Sequence, residues 1–136
     1  MRGLVIALFA LGGFAAAQSP PERPPLIIPS MYGRDLFDFY CATCHGRDGK
    51  GAGPVASALN TRVPDITLIA RRNGGRFPFD RVTAYVTHDG GTDVTAHGPA
   101  DMPVWGPIFS GLEPSDTRTR IRVDNLVKYI ESLQAK

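Results

Sequence analysis

The last stretch of the chain, RIRVDNLVKYIESLQ, places apolar residues at Val123, Leu126, Val127, Ile130 and Leu133. Spacings of three and four lay them along one continuous stripe, which predicts an amphipathic helix buried on one side. The same period runs through SMYGRDLFDFYCATCHG, where Gly33, Leu36, Phe37, Tyr40 and Cys44 share a face and Ser30 can cap. Two shorter helices are expected between them. One lies in PDITLIARRNGG, with Asp65 as cap, Leu68, Ile69 and Arg72 on one side, and Asn73-Gly74-Gly75 as the stop. The other lies in FPFDRVTAYVTHDGG, with Val82, Tyr85 and Val86 facing inward. Alternation of period two is nowhere sustained, so the pattern predicts an all-α domain of roughly three to five short helices.

These helices are separated by long Gly- and Pro-bearing stretches, residues 46–64 and 87–117. Loops of that length in a compact domain call for something else to organise them, and a large bound apolar group would do so.

The other end of the chain carries a different pattern. Residues 1–17, MRGLVIALFALGGFAAA, hold one basic residue, an apolar run and an A-x-A site before Gln18, the form of a secretory signal peptide. The run after Gly3, about 14 residues, falls short of the roughly 20 that cross a bilayer, so no stable membrane span is expected once this signal helix is cleaved. Residues 18–30, QSPPERPPLIIPS, read as an extended Pro-rich leader. Residues 31–136 then form one domain without internal repeats.

Charge adds little. The chain of 136 residues is formally +2, and removal of Arg2 with the signal leaves +1, a balance that points to no nucleic-acid partner. Cysteine usage says more. An exported protein with two cysteines would ordinarily join them, but Cys41 and Cys44 would close only a very small loop and restrain the unfolded chain little.

The run Cys41-Ala-Thr-Cys44-His45 suggests another use. Thiols three residues apart share one side of a helical turn, where each can add to a vinyl group at a porphyrin edge, and the next residue is carried over the ring to ligate iron. A structural zinc site would need His88 or His97 to complete a cramped ligand set. A redox dithiol would need a βαβ context that this chain lacks. The expected cofactor is one covalent haem c, attached through Cys41 and Cys44, with His45 on the iron. For the opposite axial position the candidates are Met102, His97, His88 or no residue at all. Met102 precedes a proline in HGPADMPVWGPIF, a stiff segment suited to holding a weak thioether at fixed distance.

GRDLFDFYCATCHG, a Gly-rich loop with Pro54, MPVWG and a final amphipathic helix together resemble the class I mono-haem c-type cytochromes of bacteria, over residues 31–134. The resemblance implies a small cytochrome c fold around one covalently attached haem. Its first and last helices would cross where Gly33 lets the backbones approach near Tyr129. It also implies His45 and Met102 as axial ligands, with the Pro54 carbonyl orienting the proximal imidazole. Trp105 would pack at the haem edge, its N–H toward a propionate, or serve simply as the core tryptophan. Arg71, Arg72, Arg76, Arg118, Arg120 and Arg122 read as solvated charge, with propionates or an acidic partner as the alternative. The cluster at 118–122 opposes the dipole of the last helix, so either that helix starts nearer Val123 or the arginines answer to something else.

The functional expectation is a periplasmic electron carrier that serves redox proteins, not an enzyme. A subunit fixed in a larger dehydrogenase or oxidase is the alternative, favoured by the Pro-rich leader. An open-iron enzyme or gas sensor would have only His97 for acid–base work on the distal side.

Overall fold

The computed structural model describes residues 28–87, 102, 105–111 and 115–136. The expected signal peptide, most of the Pro-rich leader, His88 and His97 lie outside the described residues. Among the described residues the chain is helical with no strand, in six α-helical segments: α1 (Gly33–Tyr40), α2 (Ala42–His45), α3 (Ile69–Arg72), α4 (Phe79–Thr87), α5 (Gly106–Gly111) and α6 (Asp116–Ser132). That is one more than the pattern predicts at most. The first expected helix is broken at Cys41, and GPIFSG forms a helix too short for its periodicity to register.

The stripe on α6 is buried as its spacing requires: Val123, Leu126, Val127 and Ile130 all enter the core. They meet Leu36, Phe37 and Tyr40 of α1 and Phe109 of α5. The two long helices come together at Gly33, where a side chain would overlap the Asn125 carbonyl oxygen and stand 2.9 Å from the Tyr129 Cβ. Beside that contact Asn125 Nδ2 donates to the Met31 carbonyl at 2.9 Å, and Phe37 meets the Tyr129 ring at 5.4 Å between centroids. The crossing implied by the resemblance is present, at the residue it names.

Two helix starts differ from expectation. Ser30 stands two residues ahead of the N-cap position, occupied by Tyr32. From there its hydroxyl accepts from the Tyr32 N–H at 3.1 Å and donates to the Asp35 carboxylate at 2.7 Å. Helix α6 starts a full two turns before Val123, because Ser115 caps it and Asp116 sets a negative charge in the first turn. Arg118 and Arg120 are exposed there, but Arg122 is only 1% exposed, contrary to the solvated reading. It lies four residues before Leu126, at the edge of the buried stripe.

The stretch 46–64 is tied back to α2 by its backbone. Gly51 donates to the His45 carbonyl, Gly53 to Cys44 and Val55 to Thr43, at 2.7, 3.0 and 3.2 Å. Farther on, Asp65 caps the 3₁₀ turn Ile66–Leu68, accepting from the Thr67 N–H at 2.9 Å, and α3 follows directly. Asn73 ends α3, and Gly74 and Gly75 turn the chain out of it, as the sequence predicts.

Candidate haem site

Helix α2 is a single turn, and a single turn does not hold itself together in water. It is fixed here because Cys41 both terminates α1, donating to the Phe37 carbonyl at 2.9 Å, and starts α2 by accepting from His45 N–H at 2.9 Å. The consequence is that Cys41, Cys44 and His45 are presented together at one side of a single cavity of ≈ 640 Å³. That size falls in the range of cofactor sites, about 300–1,000 Å³. Its walls are largely apolar. Phe37, Tyr40 and Ile130 come from the crossed helices, Ile66 and Ile69 from the segment around α3, and Val82, Tyr85 and Val86 from α4. Met102 and Trp105 line the same cavity.

Cys41 and Cys44 are free thiols. Burial, and after it the neighbouring Cys44, push the Cys41 thiol up to about 12. At neutral pH it is fully protonated, the opposite of the depressed thiolate that disulfide oxidoreductases use. His45 has its Nδ1 3.3 Å from the Pro64 carbonyl oxygen. A carbonyl can only accept, so Nδ1 carries the proton and Nε2 keeps its lone pair. Burial lowers the His45 pKa, with the Pro64 bond working in the other direction, and the ring is held neutral, as a metal ligand must be.

Pro54 does not take the role that the resemblance implies for it. It is exposed and outside the cavity lining, because the backbone bonds of Gly53 and Val55 on either side clip that part of the loop to the back of α2. The chain passes the imidazole only ten residues later, and Pro64 supplies the carbonyl. The loop packs closely upon itself on the way: Gly51, at φ +83°, lies where any side chain would overlap the Val63 carbonyl oxygen.

Trp105 is half-buried, edge-on to Tyr40 at 5.3 Å and stacked near Phe109 at 6.3 Å. It is at once core tryptophan and cavity wall. Of the arginines read as solvated, Arg71 and Arg76 are exposed and away from the cavity; Arg72 reaches its rim and donates to the Asp65 carbonyl at 3.0 Å. Arg62 and Arg81 join it there.

The residues present fit a covalently held haem: two unpaired thiols, a neutral imidazole with a free Nε2 and a thioether all line one apolar cavity. A family model described as Cytochrome c matches residues 30–134. The chain is 30% identical over 104 residues to Cytochrome c-554(547) of Halothiobacillus neapolitanus, covering 75% of this chain and 93% of that protein. No solved structure matches it.

Proposed function

We propose, from the premise that this chain belongs to the cytochrome c family of covalently haem-bearing electron carriers, that it is a periplasmic one-electron carrier with His45 and Met102 as axial ligands. The observation that carries this reading is the shared cavity: the CxxCH turn and Met102 line the same apolar space. When bound, the haem supplies an iron that alternates between Fe(III) and Fe(II).

The chain's own residues do the rest. Cys41 and Cys44 keep the group from being lost outside the cell. His45 offers Nε2 while the Pro64 carbonyl holds the ring in one tautomer and orientation. Met102 would be the second protein ligand to the iron, leaving no open site for a substrate, and a His/Met pair would raise the potential relative to two histidines. Phe37, Tyr40, Ile66, Ile69 and Val82 exclude water, which keeps reorganisation on electron transfer small. Residues 1–17 direct export, residues 18–30 form a leader, and residues 31–136 are the carrier domain. Redox proteins are its partners, and no helix of the described residues is long and apolar enough to cross a membrane.

The test is optical. The exported protein should give sharp low-spin bands when reduced, covalent haem in a denaturing pyridine assay, and a methionine–iron charge-transfer band in the ferric state. Met102→Ala should keep the haem, lose that band and bind carbon monoxide when reduced. Retention of the band in this variant would overturn the ligand assignment, and a high-spin wild type would favour the open-iron alternative.

A further inference from the structure

The carbonyl that orients His45 belongs to a segment with little regular structure of its own, and the end of the chain holds that segment in place. Three consecutive peptide groups after the Pro64 carbonyl are each tied down. Ile66 N–H donates to the Gly49 carbonyl at 2.9 Å. The Ile66 carbonyl accepts from Gln134 Nε2 at 2.9 Å, and the Thr67 carbonyl accepts from Ala135 N–H at 2.8 Å. Gln134 Oε1 in turn accepts from Ala70 N–H at 2.8 Å, and its Nε2 is also bonded to the Ile130 carbonyl in the last turn of α6, at 2.9 Å. One amide side chain therefore fastens Ile66 and Ala70, 68 and 64 residues away in sequence, to the helix that crosses α1.

We propose that Gln134 is a positioning residue for His45: by fixing Ile66 and Ala70 to α6 it fixes the Pro64 carbonyl, and with it the electron-donating strength of the proximal imidazole. This rests on the haem reading given above. The His45–Pro64 separation of 3.3 Å is at the long end for a hydrogen bond, where a small retreat of the carbonyl breaks it. A histidine that donates its second N–H to a carbonyl is a more basic ligand and favours the ferric state, so loosening the clamp raises the reduction potential.

Gln134→Met keeps the length of the side chain and removes the amide. Ala135→Pro removes the N–H that reaches Thr67 and keeps the Gln134 amide, while also restricting the Gln134 backbone. Both holo-proteins are compared with Val123→Ala, a core change in α6 outside the cavity, by redox titration, thermal unfolding and NMR of the His45 Nδ1 proton in the reduced state. Both clamp variants are expected to shift the midpoint potential upward, Gln134→Met by more, and to speed Nδ1–H exchange by at least severalfold. Val123→Ala should lower the thermal midpoint without either effect. An unchanged or lowered potential in Gln134→Met, unchanged exchange, or equal shifts in Val123→Ala would overturn the proposal while the wild-type haem spectrum stands. A wild type without covalent haem would overturn the functional reading, and this inference with it.

Discussion

Cys41→Ser combined with Cys44→Ser is expected to yield a chain with no covalent haem and no cooperative fold. The reason lies in how much of the domain faces the cavity. Helices α2 and α3 have four residues each, far below the length at which an isolated helix is even marginal in water. The apolar residues of the α3 segment and of α4 (Ile66, Ile69, Val82 and Tyr85) turn their packing surface to the space the haem would fill. Without the haem, the space of ≈ 640 Å³ between these side chains is left without packing partners or is filled by water that wets its apolar walls. A small domain has only about 5–15 kcal/mol of stability in total, and losing the burial of so many core-facing residues is expected to exceed it. The measurement is a pyridine assay on the denatured variant, with far-UV circular dichroism and thermal unfolding of the native one. A haem-free double variant that melts cooperatively near the wild-type temperature would contradict the claim that the haem organises the loops.

What could be read from the sequence divides along a physical line. Where an element's burial is set by its own periodicity, as for Leu126 and Val127 in α6 or Leu36 and Phe37 in α1, the pattern determines the face and the structure buries it. The CxxCH turn is legible for the same reason, since its chemistry is set by residues adjacent in sequence. Contacts between distant backbone groups leave no comparable trace. Pro54 and Pro64 occupy the same Gly-rich connection, and which carbonyl meets His45 depends on how residues 46–55 clip onto α2. Phe109 is fully buried, yet it lies in a six-residue helix carrying Gly and Pro, too brief to show a stripe. Gln134 is an ordinary polar residue near a chain end until its amide is seen to bridge α6 and α3. The start of α6 is a different kind of miss: arginines alone would argue against a helix N-terminus, but Ser115 and Asp116 immediately before them reverse that balance.

Gly33→Ala carries the second large effect. The added Cβ would overlap the Asn125 carbonyl oxygen and crowd the Asn125 carbonyl carbon at 2.7 Å and the Tyr129 Cβ at 2.9 Å. Two of these neighbours are helix backbone, which cannot swing aside as a side-chain end can, so α1 must withdraw from α6. Withdrawal loosens the Asn125–Met31 hydrogen bond, the Phe37–Tyr129 contact and the burial of Leu36 against Leu126 and Val127. Overpacking of this kind costs about 1–3 kcal/mol, occasionally more. In a domain of this size each kcal/mol corresponds to about 4–8 °C, so the thermal midpoint should fall by about 4–24 °C. Gly111→Ala is the contrasting change, since a Cβ there meets nothing among the described residues within 4 Å at the end of α5. It should leave the midpoint unchanged or raise it slightly, because alanine loses less backbone freedom on folding than glycine. The prediction concerns the difference between the two glycines, read by thermal unfolding of the holo-proteins followed in the haem absorption. Equal midpoints would mean that the α1–α6 crossing yields easily at Gly33, and that the haem, not the helix contact, sets the geometry of the fold.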